Sequence, residues 1–131
     1  MEKTVFKSKI FYWLLIVCLI SFLGWNIYAL TTGRLFAVIP ITIQIMLLFF
    51  IFSQNKHTKL GIKIWAIFLL VGPSLSIIGK LMKIMIGDDI NLMIDDLIKN
   101  LIFFIIGILI YSFNENTVVL EKPNEQGNEN K

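Results

Sequence analysis

Hydrophobic and polar positions fall into long blocks along this chain. Apolar runs cover residues 10–30, 35–52, 62–86 and 90–113, separated by short polar stretches. Crossing a hydrocarbon core of about 30 Å takes about 20 helical residues. The pattern therefore predicts an all-α integral membrane protein: a four-transmembrane-helix bundle, with a kinked third helix and an amphipathic start to the fourth. Residues 1–113 form its single domain.

Within the first span, Ser21, Gly24 and Tyr28 share a face at three- and four-residue spacing, which suits close helix contact, and Trp25 and Tyr28 suit a membrane interface. Asn26 is the most polar residue of that span and lies near its end. A basic start followed by an apolar run also describes a signal peptide, but such a segment has roughly 7–15 apolar residues and small residues at its cleavage site. This run is longer and ends in Tyr28-Ala29-Leu30-Thr31, so an uncleaved helix is expected.

Thr31-Thr32-Gly33-Arg34 is a tight connection that makes the first two helices antiparallel neighbours. The second span holds Pro40 and, four residues on, Gln44 near the midplane. A buried amide at that depth needs a partner, either another helix or the carbonyl type that a proline frees one turn earlier. Residues 53–63 read as a polar loop.

The stretch 69–96 gathers the features most suggestive of function. Gly72-Pro73-Ser74 interrupts the third span, and proline there removes one helix hydrogen bond and predicts a kink. Gly72, Ser76 and Lys80 recur every four residues, with Gly79 and Lys83 alongside, so a stripe of small residues leads to two cations. Gly87 is placed to end the helix, and Asp88 or Asp89 to cap the next. Ile90, Met93, Ile94, Leu97, Ile98 and Leu101 then follow one helical face while Asp88, Asp95 and Lys99 lie opposite. Gly107 is the small contact residue of the fourth span. Residues 114–131, rich in Asn and Glu, read as a flexible polar tail.

Composition sharpens the membrane reading: 56% of residues are hydrophobic and mean hydropathy is +0.78, against about 45–50% apolar in a soluble domain. The net charge of +3 comes from lysines dispersed along span flanks, not gathered on one face, so no nucleic-acid partner is expected. The side holding residues 1–9, 53–63 and the tail carries Lys3, Lys7, Lys9, Lys56, Lys59, Lys63, Lys122 and Lys131; the other carries Arg34, Lys80, Lys83 and Lys99. The positive-inside rule then predicts a multi-pass protein of the cell membrane with both termini cytoplasmic. The Ile-, Lys- and Asn-rich composition suggests a bacterial inner membrane.

Candidate chemistry is sparse. Cys18 stands alone in an apolar run, and His57 is the only histidine, in a loop with no second ligand near it. Asp88-Asp89 and Asp95-Asp96, seven residues apart, form the one arrangement that suggests Mg²⁺ or Ca²⁺ held through oxygen and hence a metal-dependent membrane enzyme. No second acidic or basic signature accompanies them on another helix, so neither catalytic residues nor a metal or cofactor are assigned. In length and helix number the chain resembles small multidrug exporters, which rely on a membrane-buried glutamate in the first helix; residues 10–30 contain none. Gln44, Ser76, Lys80, Lys83, Asp95 and Asp96 remain as binding or pathway candidates, with Pro40, Gly72 and Pro73 as kink positions. The function expected is interaction, as an accessory, regulatory or protective membrane subunit, through self-association or a larger membrane partner. An oligomeric transporter or channel subunit is the alternative.

Overall fold

A computed structural model describes residues 2–122. Its elements run β1 (Lys3–Phe6), α1 (Lys9–Thr31), α2 (Val38–Phe52), α3 (Thr58–Ile86), α4 (Ile94–Thr117) and β2 (Val118–Glu121). A 3-10 turn, Leu35–Ala37, leads into α2, and another, Ile90–Leu92, precedes α4. Four stretches, Lys9–Thr31, Leu35–Phe52, Thr58–Ile86 and Ile94–Thr117, are helical, long and apolar enough to cross a membrane, and they mark the chain as a membrane protein. Their side chains Trp13, Val17, Phe49, Phe68, Ile78 and Ile105 stand exposed, the inverse of a water-soluble bundle and the pattern that lipid solvates.

Local chemistry explains most helix ends. Ser8 caps α1 by accepting from the Phe11 amide at 3.3 Å. Gly33 (φ 90°) turns the chain between α1 and α2 in the left-handed region, and Gly87 (φ 113°) closes α3 in the same way, as expected of that glycine. Asp89 does act as a cap, accepting from the Asn91 amide at 2.9 Å, but of the 3-10 turn; α4 begins only at Ile94. Helix α3 is continuous from Thr58 through Gly72-Pro73-Ser74 to Ile86, and Ser74 Oγ donates to the Leu70 carbonyl at 2.6 Å beside the proline.

Besides the later start of α4, three features at one end of the bundle differ from the sequence expectation. Helix α3 starts at Thr58, not at 62, because the Thr58 hydroxyl reaches both the Phe50 and Asn55 carbonyls, at 2.8 and 2.6 Å, and folds the end of α2 onto the start of α3. Helix α4 continues through Asn114 to Thr117, where a tail was expected, because Asn114 is enclosed and its Nδ2 donates to the Lys59 carbonyl at 3.1 Å. The chain ends then meet as a two-stranded antiparallel ribbon, with Lys3 opposite Glu121 and Phe6 opposite Val118. Thr4-Val5-Phe6 and Val118-Val119-Leu120 are β-branched and aromatic runs suited to a strand, but their pairing spans the whole chain. The part of the expected tail at 123–131 lies outside the described residues.

The ribbon is tied to the α2–α3 turn as well. The Thr4 amide donates to the Gln54 carbonyl at 3.2 Å, Thr4 Oγ1 donates to the Asn55 carbonyl at 2.6 Å, and the Lys7 amide donates to the Thr117 carbonyl at 2.8 Å. Both described chain ends and the turn 53–57 thus share one end of the bundle. The enclosed core lies at this same end: Phe11, Leu15, Ile16 and Leu19 of α1, Leu47 and Ile51 of α2, Ile62, Trp65 and Ala66 of α3, Ile110 of α4 and Val118 of β2.

Candidate functional site

Toward the opposite end the helices part and leave a cleft of about 480 Å³. All four helices contribute to its lining. Phe22, Trp65 and Phe103 form an aromatic wall, Ile39, Pro40 and Ile43 line it from α2 and the turn of helix around it, and Gly72 and Pro73 line it from α3. Phe22 packs against Trp65 edge-on and against Phe103 in a tilted pair, with centroids 5.9 and 5.4 Å apart.

Three carboxamides complete the lining: Asn26 of α1, Gln44 of α2 and Asn100 of α4. Gln44 is only 3% exposed, and its Oε1 accepts from Asn26 Nδ2 at 3.3 Å. The partner of Gln44 is therefore an amide on another helix and not a carbonyl freed by Pro40. Asn100 Nδ2 donates to Ser76 Oγ at 3.0 Å and to the Asp96 carbonyl at 2.8 Å, which joins α4 to the small-residue stripe of α3. Among the described residues, Gln44 Nε2, Asn26 Oδ1 and Asn100 Oδ1 have no hydrogen-bond partner within the protein. None of the three is sealed from open space; Asn114 Oδ1 is the sealed, unpartnered side-chain atom among those residues.

The charges expected of this region stand beside the cleft and not in it. Lys80 pairs with Asp96 at 3.3 Å, and Lys99 approaches the other oxygen of the same carboxylate at 3.9 Å. Lys83 and Asp95 are exposed and make no ion pair among the described residues. Asp95 and Asp96 occupy the first turn of α4, where the helix dipole favours negative charge. At the other end of the α3–α4 pair, Lys63 meets Glu115 at 3.2 Å and lies 5.5 Å over the Tyr111 ring. Lys63 and Lys80 are about 25 Å apart along α3, so the two ion pairs bracket roughly one hydrocarbon thickness. The aspartates do not converge: Asp89 faces its own turn, Asp96 faces lysines, and no group of three or more His, Cys, Asp or Glu side chains gathers around a point among the described residues.

The glycines sort differently from their sequence pattern. A Cβ on Gly24, Gly72 or Gly79 would meet nothing within 4 Å, so these do not mark close helix contacts. The close approaches are at Gly107, where a Cβ would lie 3.2 Å from Leu69 Cβ and Leu70, and at Gly61, where it would lie 2.8 Å from Leu47 Cδ2. Gly107 was expected; Gly61 falls in the segment read as loop. Sequence reasoning also missed Asn26 and Asn100 as partners in one site. The available signal was weak: each is a lone amide set one helical turn from an aromatic residue, Phe22 or Phe103.

Comparison with known proteins finds no matching family model, no matching curated protein and no matching solved structure.

Proposed function

We propose that this chain is a small multi-pass membrane protein that acts by interaction, as an accessory, regulatory or protective component, without catalysis. The observation that carries the reading is the cleft: four helices held together at one end and parted at the other, around carboxamides with unused hydrogen-bonding capacity. In hydrocarbon an unmet amide is costly, so a recognition surface is favoured over inert packing. The charges beside the cleft favour the same reading, because Lys80 and Asp96 neutralise each other and no Lys, Asp, Glu, His or Cys lines the cleft among the described residues.

In this reading α3 bends at Gly72-Pro73, which widens the cleft, and the amphipathic first turns of α4 lie at the membrane surface. The termini face the cytoplasm of a bacterial inner membrane, supported by seven described lysines on the end where the described chain ends meet against four cations on the other. Self-association or docking on a larger membrane protein uses the exposed apolar faces. Transport by an oligomer is the second reading, favoured by one observation: polar side chains from three helices line an open space at membrane depth.

Purification from mild detergent tests the proposal. A defined partner, a self-oligomer or a tightly held lipid-like ligand is expected to accompany the chain. Solute flux across liposomes that is abolished by Lys80→Ala or Gln44→Ala, with the protein still folded, replaces it with the transport reading.

A further inference from the structure

We infer that the cleft binds an uncharged, membrane-dissolved amphiphile whose head carries a hydroxyl or carbonyl group. This rests on the interaction reading and names the ligand class of its site. Four observations converge on it.

The first is size: about 480 Å³ lies within the range of roughly 300–1,000 Å³ typical of small-molecule sites. The second is depth. The lining side chains come from segments between the levels of the Lys63–Glu115 and Lys80–Asp96 pairs, so a ligand reaches them from the bilayer. An aromatic wall of Phe22, Trp65 and Phe103 suits a hydrocarbon chain there.

The third is the polar complement. Asn26 Nδ2 occupies the Gln44 carbonyl oxygen, which leaves the Gln44 nitrogen as donor; Ser76 and the Asp96 carbonyl hold the Asn100 nitrogen, which leaves its oxygen as acceptor. A hydroxyl answers either group, since it accepts and donates at one atom. A carbonyl answers the Gln44 nitrogen. The fourth is neutrality. Among the described residues no Lys, Arg, Asp or Glu lines the cleft, and the Lys80–Asp96 pair beside it is satisfied internally. A carboxylate or phosphate there meets no counter-charge and keeps its desolvation penalty.

The full chain carrying Trp13→Phe retains Trp25 and Trp65, both lining the cleft, as its only tryptophans. In phosphatidylcholine nanodiscs, a dibrominated stearyl alcohol is expected to quench their fluorescence saturably, with oleyl alcohol competing and octadecane not competing. Gln44→Leu in the same background is expected to weaken that binding about tenfold, the scale of one hydrogen bond made in an apolar site. Where Gln44→Leu does not fold, Asn100→Leu makes the same test. Equal quenching by dibrominated octadecane, tighter binding of dibrominated stearate at neutral pH, or unchanged alcohol binding in both amide variants each overturns the inference. Those results leave the interaction reading standing, whereas amide-dependent solute flux in liposomes overturns that reading itself.

Discussion

At the end that holds both described chain ends, Leu15, Leu19, Ile51 and Ile62 are almost fully enclosed, and Thr4, Thr58 and Asn114 are enclosed with hydrogen bonds to backbone carbonyls. At the far end, Leu35, Phe36, Met85 and Ile86 are three-quarters or more exposed, and polar side chains bond within the pairs α1–α2 and α3–α4 beside a cleft. Both ends are similarly apolar in sequence. The difference lies in what closes them. A ribbon made from the two ends of the chain and a threonine-pinned turn draw the four helices together at one end. At the other, Gly33 and Gly87 turn the helix pairs α1–α2 and α3–α4 separately, and the cross-links between pairs are few. The enclosed core and the cleft thereby lie at opposite ends of the bundle.

The largest expected effect separates the two ends by packing. Leu19→Ala opens a cavity in the enclosed end and is expected to destabilise by about 2 kcal/mol, at roughly 24 cal/mol per Å³ of cavity. Ile39→Ala, at the far end and 61% exposed, is expected to change stability by less than about 0.5 kcal/mol. Unfolding by sodium dodecyl sulfate, followed by circular dichroism, measures both; equal losses break the contrast.

Thr58→Val tests the pinned turn. It removes the one hydroxyl proton within reach of the Phe50 and Asn55 carbonyls and is expected to destabilise by about 1 kcal/mol in the same assay. Retention of wild-type stability shows that the ribbon alone closes that end.

Glycine substitutions sharpen the comparison. Gly61→Ala drives a Cβ to 2.8 Å from enclosed Leu47 and is expected to cost about 1 kcal/mol, whereas Gly24→Ala meets open space and is expected to be neutral or stabilising by up to about 1 kcal/mol through helix propensity. Thermal melts in one detergent decide the order, and a reversed order refutes the packing assignment.

The smallest effect belongs to the charges. A double-mutant cycle on Lys80→Ala and Asp96→Ala is expected to show coupling of about 0.2–1 kcal/mol, since the Asp96 side chain is 59% exposed. Lys83→Ala with Asp95→Ala, two exposed charges that make no ion pair among the described residues, is expected to show none. Coupling in the second cycle that exceeds the first requires a different arrangement of the α3–α4 ends.

Four apolar segments long enough for a bilayer, the glycine stops at Gly33 and Gly87 and the close approach at Gly107 are all legible in the sequence, because hydrophobic length, positive φ and side-chain size act locally. Other features depend on residues far apart in the chain. Val118-Val119-Leu120 looks like an isolated apolar patch until Lys3–Phe6 supplies its partner strand, and Asn114 looks like the first tail residue until α3 presents the Lys59 carbonyl. Gln44 announces that it needs a partner; only the packing of α1 against α2 selects Asn26, and only that of α3 against α4 turns Asn100 toward Ser76. Lipid solvates every outward apolar face about equally, so hydrophobicity makes these helices long and apolar enough to cross a membrane without fixing which faces meet. That choice rests on small residues, hydrogen bonds and the paired chain ends, and it alone creates the cleft.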